Sequence, residues 1–174
     1  MDFFSLNKII LALGSNKSFL LDDKILTPFD ILEKACEFIS EKLSNIEKSS
    51  VYKTKPMYVE DQEWFFNMVI SCEWNGNDPY ELLSFTQSVE KKLGRDRSKE
   101  YRNGPRSLDV DIVLFSDIVV NTENLQIPHP RLQERAFVLV PMLEIFEKHA
   151  DKKVGYYKKF LNSLNTNEVE LFTP

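Results

Sequence analysis

The chain has few cysteines, no long apolar segment and no excess of positive charge. Its two cysteines, Cys36 and Cys72, each lie on an apolar face, so we expect reduced core residues, with a disulfide as the alternative. No apolar run approaches the length of a membrane span, and the N-terminus does not have the form of a signal peptide. A cytoplasmic location is therefore expected.

The charge balance disfavours one broad class of partner but leaves another open. A formal net charge of −5 disfavours general nucleic-acid binding, which needs a broad basic surface. No GxxxxGK[ST] sequence occurs, so any ATP binding must do without a P-loop. Five cations are nevertheless concentrated in a short loop: Arg95, Arg97, Lys99, Arg102 and Arg106. This loop suits a single anionic ligand.

A helix is predicted over residues 79–93, immediately before the cationic loop. Asp78 is a favourable N-cap, Pro79 suits the first helical position, and Gly94 suits a left-handed C-terminal turn. Between them, apolar residues recur at spacings of three and four: Leu82, Phe85, Val89 and Leu93. This spacing is typical of a helix with one buried face.

The strand predicted after the loop carries two carboxylates on one face. Asp109 and Asp111 are two residues apart, so their Cα atoms should be separated by roughly 7 Å. Carboxylates this close repel each other unless a cation lies beside them, and oxygen ligands without a nearby Cys or His favour Mg²⁺ over Zn²⁺. The arginines upstream would bind phosphate oxygens. The alternative is a solvated strand face beside a solvated loop.

A second strand, over residues 64–74, also has two different faces. One face is wholly apolar and should contact the core: Phe66, Met68, Ile70, Cys72 and Trp74. On the other face, Phe65 and Asn67 could bind a flat heterocycle by stacking and hydrogen bonding. The alternative is an aromatic ring covering the sheet beside a solvated Asn.

The order of the predicted elements indicates an α+β fold with a mainly antiparallel sheet and a ferredoxin-like βαββαβ core. We predict a strand at 8–13, a loop at 17–26, a helix from Pro28 with a buried stripe as far as Ile46, and a strand at about 48–54. A helix at 132–147 should be divided by Pro141, and a short helix at 157–164 should precede an edge strand at 168–172. We expect one domain, 1–174, with 147–174 as a C-terminal extension packed on the core.

Four motifs together resemble a known family: LALGSN at 11–16, YKTKPM with FFN at 52–57 and 65–67, GRDR…NGPRSLDVDIVLF at 94–115, and IPHPRLQERAF at 127–137. They are similar to 6-hydroxymethyl-7,8-dihydropterin pyrophosphokinases, the folate-pathway family abbreviated HPPK. The resemblance implies transfer of a pyrophosphoryl group from ATP to the pterin hydroxymethyl oxygen, giving AMP. It also implies two Mg²⁺ ions, and fusion to or association with a neighbouring folate-pathway enzyme.

The resemblance also implies roles for particular residues. The metal ligands are Asp109 and Asp111. The pterin would lie between the rings of Phe65 and Phe137, and Asn67 would form a hydrogen bond to its edge. Backbone groups near Thr54 and Met57 would complete the pocket. Catalytic phosphate contacts come from Arg95 and Arg106. Further ATP-binding positions are Gln87, Glu90, Arg97, Ile112, His129 and Arg135. Loops 57–63 and 95–107 are expected to close over ATP.

Two other functions remain open from the residues alone. Another metal-dependent nucleotidyl transferase on a ferredoxin-like sheet would share the two aspartates but has no need of Phe65, Asn67 and Phe137. A binding module without activity would tolerate loss of either aspartate, whereas an enzyme would lose most activity on Asp111→Ala.

Overall fold

The computed structural model describes residues 8–57, 61–101 and 103–174. The strands in these ranges are β1 (Lys8–Ser15), β2 (Phe19–Leu21), β3 (Lys24–Leu26), β4 (Ser44–Lys48), β5 (Tyr52–Thr54), β6 (Phe65–Glu73), β7 (Asp109–Phe115), β8 (Val120–Asn121), β9 (Gln126–Ile127) and β10 (Val169–Leu171). The helices are α1 (Pro28–Ser40), α2 (Pro79–Lys92), α3 (Ala136–Lys148) and α4 (Val154–Leu161), with a short 3₁₀ helix at Leu132–Glu134.

Six strands form one antiparallel sheet in the order β10-β5-β6-β1-β7, and β4 also pairs with β6. The expected α+β class with a mainly antiparallel sheet is therefore confirmed. The single strand predicted at 48–54 is instead two strands, which pair with different halves of β6. Ser49, in the segment between β4 and β5, keeps this segment against β6. Its backbone N–H donates to the Val69 carbonyl at 2.9 Å, and its hydroxyl accepts from the Val69 N–H at 3.0 Å.

Helix α1 begins as predicted but ends earlier. The Thr27 hydroxyl accepts from the Asp30 N–H at 3.2 Å, and the Asp30 carboxylate accepts from the Thr27 N–H at 2.9 Å, which together form a capping box. The predicted continuation to Ile46 is wrong, because the helix ends at Ser40. Asn45 adopts a φ of 50°, a left-handed conformation that a right-handed helix excludes, and Ile46 belongs to β4.

Helices α1 and α2 cover one face of the sheet. The N-cap and C-terminal turn of α2 are confirmed: the Asp78 carboxylate accepts from the Tyr80 N–H at 2.9 Å, and Gly94 has a φ of +87°. The sheet contributes these buried side chains to the core on this side: Ile9, Leu11, Leu13, Met68, Ile70, Cys72, Val110 and Ile112. Cys36 and Cys72 are free and buried there, as expected.

Helix α3 covers part of the opposite face. Val69 and Ser71, on the face of β6 predicted to be less apolar, are fully buried. The helix residues that bury this side of the sheet include Val138, Leu139, Met142 and Phe146. The predicted break at Pro141 is wrong, because α3 continues through this residue. The fixed φ of proline is itself compatible with a helix, and packing of this apolar helix on the sheet offsets the one lost hydrogen bond.

The C-terminal residues add one helix and one strand. Helix α4 begins at Val154 rather than Tyr157 and packs on α3, where the rings of Tyr157 and Phe146 have centroids 5.9 Å apart. Strand β10 pairs with β5 at the edge of the sheet, as predicted. The segment 17–26, predicted as a loop, contains the hairpin β2–β3. No helix within the described ranges is long and apolar enough to cross a membrane.

Candidate active site

A cavity of about 510 Å³ lies on the α3 face of the sheet, beyond the N-terminus of α3. The sheet register places four residues opposite one another in a row across it: Tyr52, Asn67, Gly14 and Asp109. Alternate residues of a strand share a face, so the neighbours two positions along are on the same side. Packing by α3 ends here, and the uncovered half of the face forms the floor of the cavity.

Asp109 and Asp111 both line the cavity and are held by cations. Asp109 contacts Arg95 at 3.3 Å and Arg106 at 3.0 Å, and Asp111 contacts Arg135 at 2.8 Å. Burial and the neighbouring charge of Asp111 raise the pKa of Asp109, while Arg106 and Arg95 oppose this rise. Both side chains remain about one third exposed, at 28% and 33%. The predicted pair of carboxylates on one strand face is thus present.

His129 lies beside Asp111. Its Nδ1 accepts from the Arg131 N–H at 3.1 Å, and its Nε2 is 3.8 Å from the Asp111 carboxylate. Burial lowers the pKa of His129, with Asp111 acting against this effect and Arg135 adding to it. Because the Arg131 N–H occupies Nδ1, a neutral ring carries its proton on Nε2, which also lies 3.5 Å from the Arg135 guanidinium.

Glu90 connects helix α2 to the strand that carries the aspartates. It is 2% exposed, accepts from the Val110 N–H at 2.9 Å, and accepts from the Arg97 guanidinium at 2.7 Å. Burial raises the pKa of Glu90, and the hydrogen bond from Arg97 opposes this rise. Through these two hydrogen bonds, Glu90 holds the Arg97 side chain, which lines the cavity, close to Val110, the residue between the two aspartates.

The residues predicted to bind a flat ring are gathered at one end of the cavity. The lining includes Thr54, Met57, Phe65, Asn67 and Phe137. Asn67 is buried, and its amide donates to the Thr54 hydroxyl at 2.8 Å. A Cβ at Gly14 would lie 3.1 Å from the Asn67 amide oxygen, so any larger residue at this position would crowd that oxygen.

Two arginines join the ring end to the carboxylate end. The Arg106 guanidinium lies over the Phe65 ring, 5.2 Å from its centroid, and that of Arg135 lies over Phe137 at 5.5 Å. The same two side chains contact Asp109 and Asp111. The aromatic and charged parts of the cavity are therefore adjacent and share these cations.

Asn16 connects two loops at the rim. Its amide oxygen accepts from the Arg106 N–H at 2.8 Å, and its amide nitrogen donates to the Gln62 side chain at 2.9 Å and to the Glu63 carbonyl at 3.0 Å. Gln62 in turn donates to the Asn103 carbonyl at 3.0 Å. Residues 58–60 and Arg102, which belong to the predicted closing loops and cation cluster, lie outside the described residues.

Three of the predicted ATP-binding residues do not line this cavity. Gln87 is exposed on α2, and the Ile112 side chain is buried in the core on the α1 and α2 side. Glu90 reaches the cavity only through Arg97. Sequence reasoning missed other lining residues, among them Lys55, Glu100, Tyr101 and Arg131. Of these, Glu100 contacts Arg95 at 2.6 Å. Its position within the cationic loop could have indicated from the sequence that it lies in the site.

The chain is similar to known proteins of one family. The sequence model of the 7,8-dihydro-6-hydroxymethylpterin-pyrophosphokinase (HPPK) family matches residues 10–147. The 2-amino-4-hydroxy-6-hydroxymethyldihydropteridine pyrophosphokinase of Bacillus subtilis (strain 168) is 48% identical over 100 residues, which cover 58% of this chain and 58% of that protein. The protein of the same name from Aquifex aeolicus (strain VF5) is 38% identical over 138 residues, covering 79% of each.

Longer proteins also match. The folic acid synthesis protein FOL1 of Dictyostelium discoideum is 38% identical over 143 residues, which cover 80% of this chain but 20% of that protein. The chain thus spans 58% of the Bacillus relative and 20% of FOL1. A crystal structure of wild-type Plasmodium falciparum HPPK-DHPS with SDX-DHP is similar with a TM-score of 0.63 at 16% identity, covering 90% of this chain and 43% of that one. At this identity, the structural likeness concerns the fold.

The family model extends over most of the chain, and its match includes the carboxylate strand, the cationic loop and the start of α3. The chain therefore belongs to the 7,8-dihydro-6-hydroxymethylpterin-pyrophosphokinase family.

Proposed function

We propose that this protein transfers a pyrophosphoryl group from ATP to the hydroxymethyl oxygen of 6-hydroxymethyl-7,8-dihydropterin in folate biosynthesis. The observation that carries the proposal is a single cavity lined by two aspartates, five arginines, two phenylalanines and a buried asparagine: Asp109, Asp111, Arg95, Arg97, Arg106, Arg131, Arg135, Phe65, Phe137 and Asn67. Family membership supports the same reaction.

The reaction needs alignment and charge neutralisation more than covalent help. The pterin oxygen bonds to the β-phosphorus of ATP, the bond from that phosphorus to the bridging oxygen of the α-phosphate breaks, and AMP leaves with that oxygen. The hydroxyl proton passes to solvent or to a phosphate oxygen. In this proposal Arg95 and Arg106 contact the transferred phosphates, because both already lie beside Asp109 and present guanidinium groups that match phosphate oxygens.

The carboxylates fit Mg²⁺ bound together with a nucleotide. No group of three His, Cys, Asp or Glu side chains that could hold a metal occurs among residues 8–57, 61–101 and 103–174. Mg²⁺ commonly takes one or two carboxylates and completes its shell with water and substrate phosphates, which is what Asp109 and Asp111 in a cavity would allow. We propose that they hold two Mg²⁺ ions, which would supply charge neutralisation at the phosphates.

The other end of the cavity suits the pterin. Phe65 and Phe137 would stack on its faces, and the Asn67 amide would bind its edge. Thr54 already accepts from the Asn67 amide, so the orientation of that amide is fixed before a ligand arrives. His129, Arg97 and Arg135 would contact the nucleotide from the opposite side, and Glu90 would act on it through Arg97. Gln87 and Ile112 do not line the cavity and have no part in this proposal.

The proposal also covers the fold of the protein, its location in the cell and its association with other enzymes. The strand order, with β1 between β6 and β7 and the pair β4 and β5 outside β6, supports a ferredoxin-like βαββαβ core within one domain, 1–174, on which 147–174 pack as an extension. We further propose a cytoplasmic location and fusion to, or association with, a neighbouring folate-pathway enzyme. The latter is supported by the solved HPPK-DHPS proteins to which the chain is similar.

The deciding experiment measures AMP and ADP from ATP and Mg²⁺, with and without 6-hydroxymethyl-7,8-dihydropterin. We expect AMP release that depends on the pterin and is abolished by EDTA. ADP as the product would instead mean transfer of a single phosphoryl group. An absence of turnover from folded protein would favour the binding module, and in that case Asp111→Ala would leave ligand affinity unchanged.

A further inference from the structure

We infer that Glu144, on helix α3 and outside the cavity lining, is a positioning residue for the pterin pocket. This inference rests on the proposed function, because it concerns the end of the cavity assigned above to the pterin. The Glu144 carboxylate accepts from the Ser50 N–H at 2.9 and 3.1 Å, from the Ser50 hydroxyl at 2.9 Å, and from the Tyr52 hydroxyl at 2.9 Å. One side chain therefore receives hydrogen bonds from three donors of a neighbouring segment.

These donors belong to the strand that forms one wall of the pocket. Ser50 lies in the interruption between β4 and β5, where the Glu144 carboxylate binds its backbone N–H. Tyr52 is directly opposite Asn67 in the sheet, and Thr54 accepts from the Asn67 amide. The position of β5 thus determines where Thr54 lies and, through their hydrogen bond, how the Asn67 amide is oriented.

Glu144 itself belongs to the helix that forms the other wall. Phe137 is seven residues earlier on α3, and seven residues are close to two helical turns, so both side chains lie on the same side of the helix. The carboxylate therefore connects the helix that presents Phe137 to the strand that positions Asn67. A change in this connection would alter the spacing between the two walls.

The charge of Glu144 matters as well as its shape. Burial, and then the hydrogen bond and charge of Glu144, raise the pKa of Tyr52 to about 12, so Tyr52 remains a protonated donor. A glutamine at this position would have one acceptor oxygen and would turn an NH₂ group toward donors. The substitution Glu144→Gln consequently preserves the side-chain volume but weakens the hydrogen bonds from Ser50 and Tyr52.

The test compares Glu144→Gln with Glu147→Gln in the full chain. Glu147 is exposed on the same helix and pairs with Lys158 at 2.7 Å, away from the pocket. Glu147→Gln therefore removes the same charge as Glu144→Gln and serves as the control. Calorimetry would measure the affinity for 6-hydroxymethyl-7,8-dihydropterin with a non-hydrolysable ATP analogue and Mg²⁺, and separately the affinity for the analogue alone. We expect Glu144→Gln to weaken pterin binding about tenfold, which corresponds to loss of roughly one charge-assisted hydrogen bond. Its affinity for the analogue, and both affinities of Glu147→Gln, should change by less than about twofold.

A second variant keeps the inference testable if Glu144→Gln does not fold. Tyr52→Phe removes only the hydroxyl, and a loss of affinity confined to the pterin would support the positioning role. Equal losses for both ligands, or no loss for either, would overturn it. The proposed function is judged separately, because it fails if the wild-type protein releases no AMP, whereas an active wild type with unchanged pterin affinity in Glu144→Gln contradicts only the role of Glu144.

Discussion

Arg106 is a single residue that connects the main parts of the candidate site. Its guanidinium contacts Asp109 at 3.0 Å and lies over the Phe65 ring, while its backbone N–H donates to Asn16. It therefore touches the carboxylate end, the ring end and the rim of the cavity. A lysine could supply the charge here, but it lacks the planar group that stacks on a ring and binds phosphate oxygens in pairs.

We predict that Arg106→Gln lowers kcat for pterin-dependent AMP release by about 100-fold or more, because a preorganised cation is removed from the transferred phosphates. Lys99→Gln is the matched control, since Lys99 belongs to the same loop but is 82% exposed and pairs with Asp96. It should keep kcat within about twofold. Similar losses in both variants would show that general loop charge, rather than the placement of Arg106, determines the rate.

The cysteines give a second prediction at this scale. Burial raises the pKa of both Cys36 and Cys72 to about 12, so at pH 7.5 both are neutral thiols, and thiolate is the reactive form. We expect no labelling by iodoacetamide in the native protein over an hour and labelling of both after unfolding in urea. Rapid labelling of the native chain would contradict this burial.

Among the secondary-structure elements, the end of α2 is closely packed against the hairpin β2–β3. Gly94 has a φ of +87°, and a Cβ there would lie 2.2 Å from the Phe19 ring. We predict that Gly94→Ala destabilises the protein by about 1–2 kcal/mol from backbone conformation alone, measured by urea unfolding. Gly155→Ala is the control, because it lies in α4 with no atom within 4 Å of its Cβ, and it should stabilise by about 0.5–1 kcal/mol.

The contact between β4 and the end of α3 should depend on pH. Burial acts to raise the pKa of Glu47, but hydrogen bonds from Lys148 and His149, both at 2.5 Å, lower it overall from 4.5. A lowered folded-state pKa means that the ionised Glu47 contributes stability above pH 4.5 and loses it as the pH falls through the folded value.

We therefore predict that Glu47→Gln destabilises by about 0.5–1 kcal/mol at pH 6 and that the difference from wild type shrinks as the pH falls below 4.5. Urea midpoints across this range would measure it. Glu37→Gln removes an exposed pair with Lys34 and should show a smaller difference. A Glu47 effect that is constant with pH would mean that packing, rather than charge, is responsible.

The sequence predicted elements well where local signals decided the structure. The caps at Thr27 and Asp78 and the turn at Gly94 were found because they depend on neighbouring residues alone. The end of α1 was missed because its apolar spacing continues to Ile46, and nothing in that spacing reveals the left-handed Asn45. Ser50, in the interruption between β4 and β5, donates to Glu144, 94 residues away, and no local pattern can indicate such a contact.

The candidate site was predictable to a similar degree. Asp109 and Asp111 were found from alternation on one strand, and Phe137 only from resemblance to a family. Arg131 and Tyr101 were missed as lining residues because their position depends on how loops fold over the sheet. The contact of Arg106 with the Phe65 ring was equally invisible, since 41 residues separate them and they meet because β1 pairs with both β6 and β7.

At the scale of the whole molecule, the proposed closure predicts a pattern of hydrogen exchange. Amides of the central strands β1 and β6 should exchange slowest, because both are paired on two sides. Adding Mg²⁺ and an ATP analogue should slow exchange at 61–63 and 95–101, which form part of the rim. Glu147→Gln should show the same protection, and unchanged exchange in both segments would contradict closure.

The sheet serves two purposes at once, since α3 covers one half of its face and leaves the other half as the floor of the cavity. Of the residues proposed to bind the heterocycle, Phe65, Asn67 and Thr54 lie on paired strands, whereas the arginines proposed to bind the polyphosphate lie mainly in the loop between α2 and β7. An inhibitor designed for the ring pocket would meet a shape already present in the ligand-free protein. One designed for the end of the cavity with the carboxylates would, under the proposed closure, also have to order the loop 95–101 around itself, and its affinity would be reduced by that ordering.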